Sequence, residues 1–218
     1  MKVISLNTGL PREVTWHGIS VSTGIYKEPV EGRVPVRTLN LGGDRQADLT
    51  VHGGEQKAVY CYPSEHYSYW KGELPGRELP MAVFGENFTT EGLLEDSAHL
   101  GDRFGVGSAE FVVTQPRLPC YKLGIRFQDD GMVKRFLASG RTGFYFAVMR
   151  EGEVGAGDEI KVLARDPNAV AISEITRLYV AKRYAEEDVT SVRRALRVAE
   201  LPEGWKGYFR ERLQRMNG

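Results

Sequence analysis

The chain has 218 residues, and its hydrophobic content of 41% is ordinary for a globular protein. Lys plus Arg and Asp plus Glu number 29 each, so no net charge draws the whole chain toward nucleic acid or an acidic membrane surface. No stretch reaches the apolar length of a membrane span, and we therefore expect a cytoplasmic protein with neither a nucleic-acid nor a membrane partner. Cys61 and Cys120 are expected to be separate thiols, because structural disulfides are rare in a reducing compartment.

Short β-strands are predicted along the first part of the chain. Residues 3–7, 13–17, 24–27 and 58–62 are rich in β-branched and aromatic residues, as is typical of strands. Residues 29–37 contain prolines and charges, which favours a loop or an edge strand. A short helix is predicted after Pro63, with Ser64 as its N-cap and with Tyr67 and Trp70 facing the core.

A glycine-rich stretch, residues 41–48 and 51–54, is predicted to be an ordered loop. Gly53 and Gly54 would let the backbone approach a ligand closely and present N–H groups to an anion, although tight turns explain such glycines equally well. His52 stands before these glycines and is expected to be accessible. A lone histidine is more often a hydrogen-bonded structural group, so its role as a base or ligand stays open.

The best candidate for chemistry is Cys120, within residues 114–123. Pro116 and Pro119 fix φ and remove backbone donors, so the apolar strand before them cannot continue as an ordinary ladder. Arg117 and Lys122 are close in sequence, and cationic neighbours favour the reactive thiolate. The alternative is that Cys120 packs as a small hydrophobic residue, as many cysteines do.

Three further polar residues are candidates for a site. Glu86 and Asn87 follow an abrupt end of an apolar run, where they either face a ligand or turn the chain through bonds to the backbone. Arg141 offers a planar guanidinium fork suited to a phosphate group, and its alternative is a solvated surface arginine.

The C-terminal part is predicted to be helical. Strand-like patterning stops near Asp166, and three amphipathic helices are predicted beyond it, with Ser173, Asp188 and Pro202 at their starts. We therefore expect a mainly β domain of residues 1–166 and a three-helix subdomain of residues 167–218. A further short helix is predicted within residues 129–140.

These motifs together resemble the MOSC domain family, named for the C-terminal domain of molybdenum cofactor sulfurases, and are most similar to its YiiM-like bacterial branch. The motifs are Gln115-Pro116-Arg117-x-Pro119-Cys120-x-Lys122-Leu123, Val51-His52-Gly53-Gly54 and Phe84-Gly85-Glu86-Asn87. The resemblance implies a β-barrel-like core with short helices and a small C-terminal three-helix subdomain. It also implies that Cys120 ligates molybdenum in the molybdenum cofactor, or handles the sulfur of that cofactor.

Relatives in this family reduce N-hydroxylated compounds, such as hydroxylaminopurines and amidoximes, to amines. The resemblance thus implies a small N-hydroxylated substrate and an external electron donor protein, and it allows a homodimer. Our hypothesis assigns anionic cofactor groups to Arg117, Lys122, Arg141, Gly53 and Gly54. It places His52, Glu86 and Asn87 near the substrate.

Two alternatives to a reductase stay open at this stage. The chain would be a non-catalytic carrier of molybdenum cofactor or persulfide sulfur if it binds them without turnover. It would be a hydrolase if Cys120 acts as a nucleophile with His52 as base and Asn87 or Asp48 as orienter, because such triads assemble in space rather than in sequence order.

Overall fold

The computed structural model describes residues 1–47 and 53–216, which form twelve β-strands, six α-helices and a short 3₁₀ helix at Glu55–Lys57. The strands are β1 (Lys2–Thr8), β2 (Arg12–Trp16), β3 (Ile19–Thr23), β4 (Glu28–Pro29), β5 (Arg33–Val36), β6 (Val59–Pro63), β7 (Phe88–Glu91), β8 (Arg103–Val106), β9 (Ala109–Pro116), β10 (Phe144–Arg150), β11 (Gly152–Gly155) and β12 (Ile160–Ala164). The α-helices are α1 (Glu65–Glu73), α2 (Tyr121–Phe127), α3 (Met132–Ala138), α4 (Ile172–Val180), α5 (Glu186–Ala195) and α6 (Glu203–Gln214).

Eight strands form one mixed sheet in the order β12-β8-β9-β10-β6-β7-β1-β4. All neighbours in it are antiparallel except β6 and β7, which are parallel. The N–H of Ile160 donates to the carbonyl of Met1 at 2.9 Å, and that of Gly157 donates to Val3 at 2.7 Å, so the start of β1 meets the turn before β12. The sheet is therefore barrel-like, although among the described residues no full ladder closes it.

The core explains why β9 is buried almost throughout its length. This strand lies between β8 and β10 and packs against α4, so both of its faces are covered and its apolar run need not alternate with polar residues. The Phe111 ring lies 5.6 Å from Phe88 and 5.4 Å from Phe146, measured between centroids. Ile175 and Phe209 of the C-terminal helices belong to the same buried cluster.

The predicted mainly β fold with a helical C-terminal region is confirmed. Helices α4, α5 and α6 occupy the predicted three-helix stretch, while the domain boundary between residues 166 and 167 stays a prediction. Within the ranges described, no helix is both long and apolar enough to cross a membrane.

A second, aromatic cluster positions the helix that follows Cys120. Trp70 of α1 and Phe136 of α3 stack with centroids 5.6 Å apart and planes 13° apart. Leu123 and Phe127 of α2 are buried in this cluster. Because α2 is anchored by these two side chains, the segment before it has a fixed course.

Several local predictions are corrected by the structure. Residues 24–27 form no strand, and a Cβ atom added at Gly24 would lie only 3.0 Å from the carbonyl oxygen of Arg45. Ser64 occupies the predicted N-cap position of α1, but its side chain makes no capping hydrogen bond. Helix α2 was not predicted, and α3 begins only at Met132.

The C-terminal helices also begin differently from the prediction. Helix α4 begins after Ala171 rather than at Ser173, which lies inside its first turn. Helix α5 begins after Ala185, whose N–H donates to the carboxylate of Asp188 at 2.9 Å. Asp188 therefore stabilises the start of this helix from the third helical position instead of capping it from outside.

Candidate functional site

Cys120 lies in the wall of a solvent-open cavity with a volume of about 110 Å³. The wall is built by the segment after β3, the loop before the 3₁₀ helix, strands β6 and β10, and the turn between β9 and α2. Its charged lining residues in the described chain comprise five cations and one carboxylate: Lys27, Arg45, Lys57, Arg117, Lys122 and Asp44. The cavity is therefore suited to an anionic guest although the whole chain has no net charge.

Cys120 owes its position to two features of the local sequence. Strand β9 ends at Pro116, and the residues that follow have no regular structure until Cys120, whose extended backbone directly precedes α2. The side chain is partly buried and lines the cavity. Cys61, in contrast, is fully buried in β6, and burial raises the pKa of its thiol well above the ordinary value. The two are separate thiols, as predicted.

Arg117 lies beside this cysteine with only 6% of its surface exposed. Its guanidinium carbon is 4.9 Å from the ring centre of Tyr60 and 5.2 Å from that of Phe136. Within the described chain its Nη1 has no hydrogen-bond partner. A buried cationic donor without an acceptor is costly, so an anion in the cavity would supply what this side chain lacks.

The charges around the sulfur act on one another. Burial lowers the pKa of Lys57, while the charge of Cys120 acts in the opposite direction. Burial also raises the pKa of Tyr145, the charge of Arg117 opposes this rise, and Cys120 adds to it. Although burial opposes its charge, Arg117 has a raised pKa because Tyr60, Tyr145 and Cys120 surround it. Cationic groups of this kind favour the anionic form of a neighbouring thiol.

A buried hydrogen-bond network forms another part of the wall. The Nζ of Lys27 donates to Oδ1 of Asp44, and the N–H of Gly9 donates to the same oxygen at 3.0 Å. The Nδ2 of Asn87 donates to the other carboxylate oxygen at 2.8 Å, while its Oδ1 accepts from the N–H of Tyr60 at 3.1 Å. Burial lowers the pKa of Lys27, and the charge of Asp44 opposes this effect. Asn87 thus lines the cavity, but both ends of its amide hold the wall together.

Glu86 is fully buried and does not line the cavity. Its Oε1 accepts from the hydroxyl of Tyr67, from the N–H of Ala82 at 3.1 Å and from the hydroxyl of Thr89 at 3.0 Å. Burial raises the pKa of Glu86, which these hydrogen bonds partly offset. The catalytic role expected of Glu86 stays a prediction.

Arg141 lies apart from the Cys120 cavity, in a different pocket that also contains His66 and Glu95. Its Nη1 donates to the carbonyl of Ser139 at 3.2 Å, and its guanidinium lies 4.1 Å from the ring centre of Tyr69. The structure thus does not bring Arg141 together with Arg117 or Lys122 in one pocket, and the cofactor contact expected of Arg141 stays a prediction.

The glycine-rich loop is described only in part. The N–H of Gly54 donates to Oε1 of Gln46 at 2.7 Å, and its φ of 95° fits the left-handed region that glycine favours. Gly53 lines a neighbouring cleft rather than the Cys120 cavity. The candidates His52 and Asp48 lie outside the described residues.

Several residues that line the cavity were not predicted from the sequence as site residues. Lys27 was assigned to a strand, and Lys57 and Tyr145 had no role at all. No motif marks them, because they come from separate segments that only the fold brings together. The one available signal was a lysine at the end of an apolar run, at Lys27, where a charge can be buried only with a partner.

Comparison with known proteins places these features in a family. The MOSC domain profile matches residues 48–161, and the profile of the YiiM-like 3-alpha helix domain matches residues 171–215. The chain is 38% identical to the uncharacterized protein YflK of Bacillus subtilis over 214 residues, which cover 98% of this chain and 95% of that protein. It is 34% identical to protein YiiM of Escherichia coli over 194 residues, which cover 87% of this chain and 84% of that protein.

A more distant relative and two solved structures agree with these matches. A protein of Gibberella moniliformis named reductase is 30% identical over 168 residues, which cover 76% of this chain but only 30% of that longer protein. The crystal structure of YiiM from Geobacillus stearothermophilus superposes with a TM-score of 0.80 at 33% identity, over 97% of this chain and 98% of that chain. The crystal structure of YiiM from Escherichia coli superposes with a TM-score of 0.75 at 27% identity, over 97% of this chain and 92% of that chain. The chain therefore belongs to the MOSC domain family and, within it, to the YiiM-like proteins with a C-terminal three-helix domain.

Proposed function

We propose that this protein binds the molybdenum cofactor through the Cys120 cavity and reduces N-hydroxylated compounds to amines. The observation that carries the proposal is the buried guanidinium of Arg117, whose Nη1 lacks an acceptor within residues 1–47 and 53–216 and which shares a cavity with Cys120. Membership of a family associated with molybdenum cofactor binding, and a relative named reductase, support it.

The residues of the cavity fit such a cofactor by their chemistry. A thiolate is a soft ligand that suits molybdenum, and Cys120 offers the one sulfur in this cavity within the described chain. Arg117, Lys57 and Lys122 would hold the anionic groups of the cofactor, since all three line the cavity. When bound, the cofactor would supply the oxygen-transfer chemistry that side chains alone do not provide.

The side chains that line the Cys120 cavity would hold a proton, orient an anion and keep the cavity wall in place. Lys57, whose pKa burial lowers, is placed to hold or release a proton beside the sulfur. Arg117 keeps its charge and so orients an anion. The network of Lys27, Asp44 and Asn87 keeps the opposite wall in place.

The overall reaction balances with an external donor. The bond between nitrogen and oxygen breaks, two electrons and two protons are consumed, the nitrogen retains its substituent as an amine, and the oxygen leaves as water. An electron donor protein that delivers the two electrons is therefore part of the proposal.

The test uses protein purified from cells that make the molybdenum cofactor. Molybdenum content per chain and reduction of benzamidoxime with a chemical electron donor are measured for wild type, Cys120→Ser and the matched control Cys61→Ser. We expect Cys120→Ser to lose both metal and activity while Cys61→Ser keeps both. Metal retained in Cys120→Ser would reject the ligand role, and metal without reduction of any N-hydroxylated compound would indicate a carrier.

A second pair of variants tests the role of Arg117. Arg117→Gln should lower the cofactor content, because the buried cation that faces the cavity is lost. Arg141→Gln removes the same charge from a different pocket and should leave the content unchanged. Equal effects of the two variants would contradict the assignment of Arg117.

A further inference from the structure

A second cleft lies directly beside the Cys120 cavity, between the sheet and the C-terminal helices. It is open to solvent and has a volume of about 400 Å³. Strands β9 and β10 and the 3₁₀ helix form one side, and α4 and α6 form the other. Four of its lining side chains are aromatic: Tyr145, Tyr179, Trp205 and Tyr208. Ligand pockets measure roughly 300–1,000 Å³, so this cleft has room for a small organic molecule.

The three aromatic side chains of α4 and α6 form a continuous surface. The ring centres of Tyr179 and Trp205 are 5.4 Å apart, and those of Tyr179 and Tyr208 are 5.2 Å apart. Two of the polar ends are already engaged. The Nε1 of Trp205 donates to Oε1 of Gln115 at 3.0 Å, and the hydroxyl of Tyr208 donates to the carbonyl of Tyr179 at 3.0 Å. The faces of these rings are therefore the main surface available to a ligand, and they are suited to stacking against a flat ring.

The charge of this cleft differs from that of the Cys120 cavity. Among its lining residues in the described ranges there is no carboxylate and no arginine, and Lys57 is the one cation. The Cys120 cavity next to it has five cations. An anionic group would therefore favour the cavity, whereas a flat, uncharged group would favour the cleft.

The two spaces adjoin each other. Lys57, Leu118 and Tyr145 line both of them, so these three side chains form their common border. A ligand held in the aromatic cleft therefore lies next to the cavity that contains Cys120. Binding energy from the part of a substrate that does not react can then position the part that does.

Resting on the proposed reductase function, we infer that this cleft binds the flat, uncharged aromatic ring of the substrate while its N-hydroxyl group enters the Cys120 cavity. Helices α4 and α6 supply one wall of the cleft, so the three-helix region selects substrates by their ring. Tyr179 and Trp205 are the specificity-determining residues of this wall.

Helix α6 offers a matched pair of variants for the test. Gly204 lines the cleft, and a Cβ atom added there meets no atom within 4 Å, so Gly204→Phe would place a ring in the space reserved for the substrate. Gly207 lies three residues further along the same helix, has equally open surroundings and does not line the cleft. Gly207→Phe therefore adds the same bulk to the same helix and serves as the control.

Binding is measured through quenching of tryptophan fluorescence by benzamidoxime, and turnover through the reduction of benzamidoxime and of acetamidoxime, which has no ring. We expect Gly204→Phe to weaken benzamidoxime binding by about tenfold or more, the loss expected for a stacked and buried ring. Its reduction of acetamidoxime should stay within twofold of wild type, roughly the scatter of a neutral surface change. Gly207→Phe should match wild type for both compounds.

Three results would overturn the inference. Gly204→Phe could bind benzamidoxime as tightly as wild type, Gly207→Phe could weaken that binding as much as Gly204→Phe does, or Gly204→Phe could lose acetamidoxime reduction to the same extent as benzamidoxime reduction. Should Gly204→Phe fail to fold, Tyr179→Leu removes a stacking ring while keeping an apolar side chain, and the same comparison decides. The fluorescence measurement needs no turnover. If wild type reduces neither compound, the proposed function fails, and the loss of ring binding in Gly204→Phe still tests the cleft separately.

Discussion

Replacing Asp44 by asparagine should strongly destabilise the protein. The Lys27 and Asp44 side chains are only 8% and 2% exposed, and their ion pair is buried in the wall of the Cys120 cavity. Asparagine leaves Lys27 charged without its counterion, and its amide would present N–H groups to the Nδ2 of Asn87, which now donates to the carboxylate at 2.8 Å. Removing one partner of a buried ion pair costs about 3–5 kcal/mol, so we expect Asp44→Asn to lose about that much free energy of unfolding at pH 7.

Urea unfolding, with the slope of each transition compared, measures this loss. The exposed pair of Lys2 and Glu91, joined at 2.9 Å with both side chains about half exposed, supplies the control. Glu91→Gln should cost less than about 1 kcal/mol, because exposed pairs contribute little. The double variant Lys27→Met with Asp44→Asn should recover much of the loss, since it removes both charges together.

The pH dependence supplies a second check of the same prediction. Burial already lowers the pKa of Lys27, and Asp44 opposes this effect, so its loss should lower that pKa further. Between the lowered folded pKa and the ordinary unfolded value, the unfolded chain binds more protons, so stability rises with pH. The difference between wild type and Asp44→Asn should therefore shrink as pH rises from the folded pKa of Lys27 in Asp44→Asn to its folded pKa in the wild type. A loss under about 1 kcal/mol, or a double variant no better than Asp44→Asn, would refute the reasoning.

Two further predictions concern the other buried and reactive groups. Iodoacetamide at neutral pH should label Cys120 well before Cys61, because Cys61 is fully buried and its thiol has a raised pKa. Peptide mass spectrometry measures the order of labelling, and equal labelling of the two cysteines would contradict the burial of Cys61. Burial raises the pKa of Glu86. The wild type should therefore lose stability as pH rises from the ordinary carboxyl pKa of 4.5 through the folded pKa of Glu86. Glu86→Gln should flatten that part of the pH profile of stability, measured by urea unfolding. An unchanged profile would count against a buried carboxyl that titrates in this way.

The fold was predictable from the sequence where the local pattern and the tertiary environment agree. The apolar run of β9 and the amphipathic spacing of the C-terminal helices predict their own burial. Helix α2 was missed because its residues Tyr121–Phe127 include Gly124 and carry no capping motif. It forms because Leu123 and Phe127 are buried in the aromatic cluster, and that long-range contact outweighs a weak local preference.

The site was predictable only where a motif marks it. Cys120 and Arg117 stand in a segment that contains two prolines, and both line the cavity that the structure shows. Arg141 had an equally attractive side chain, but its guanidinium is held by Tyr69 and the carbonyl of Ser139 on another face. Residue type alone could not separate the two arginines, because the distinction lies in which other segments surround each of them.

The positive charge of the Cys120 cavity is a property of the fold rather than of the composition. The chain carries equal numbers of basic and acidic residues, yet the described lining has five cations against Asp44, whose charge is already paired with Lys27. Salt screens charges over about 8 Å at physiological ionic strength, so a distant acidic surface does little to offset this local field. The cavity contains Arg117, buried without an acceptor for its Nη1 in the described chain, whereas the described lining of the aromatic cleft has Lys57 as its one cation. The flat, uncharged ring of the proposed substrate is therefore better suited to the cleft than to the cavity.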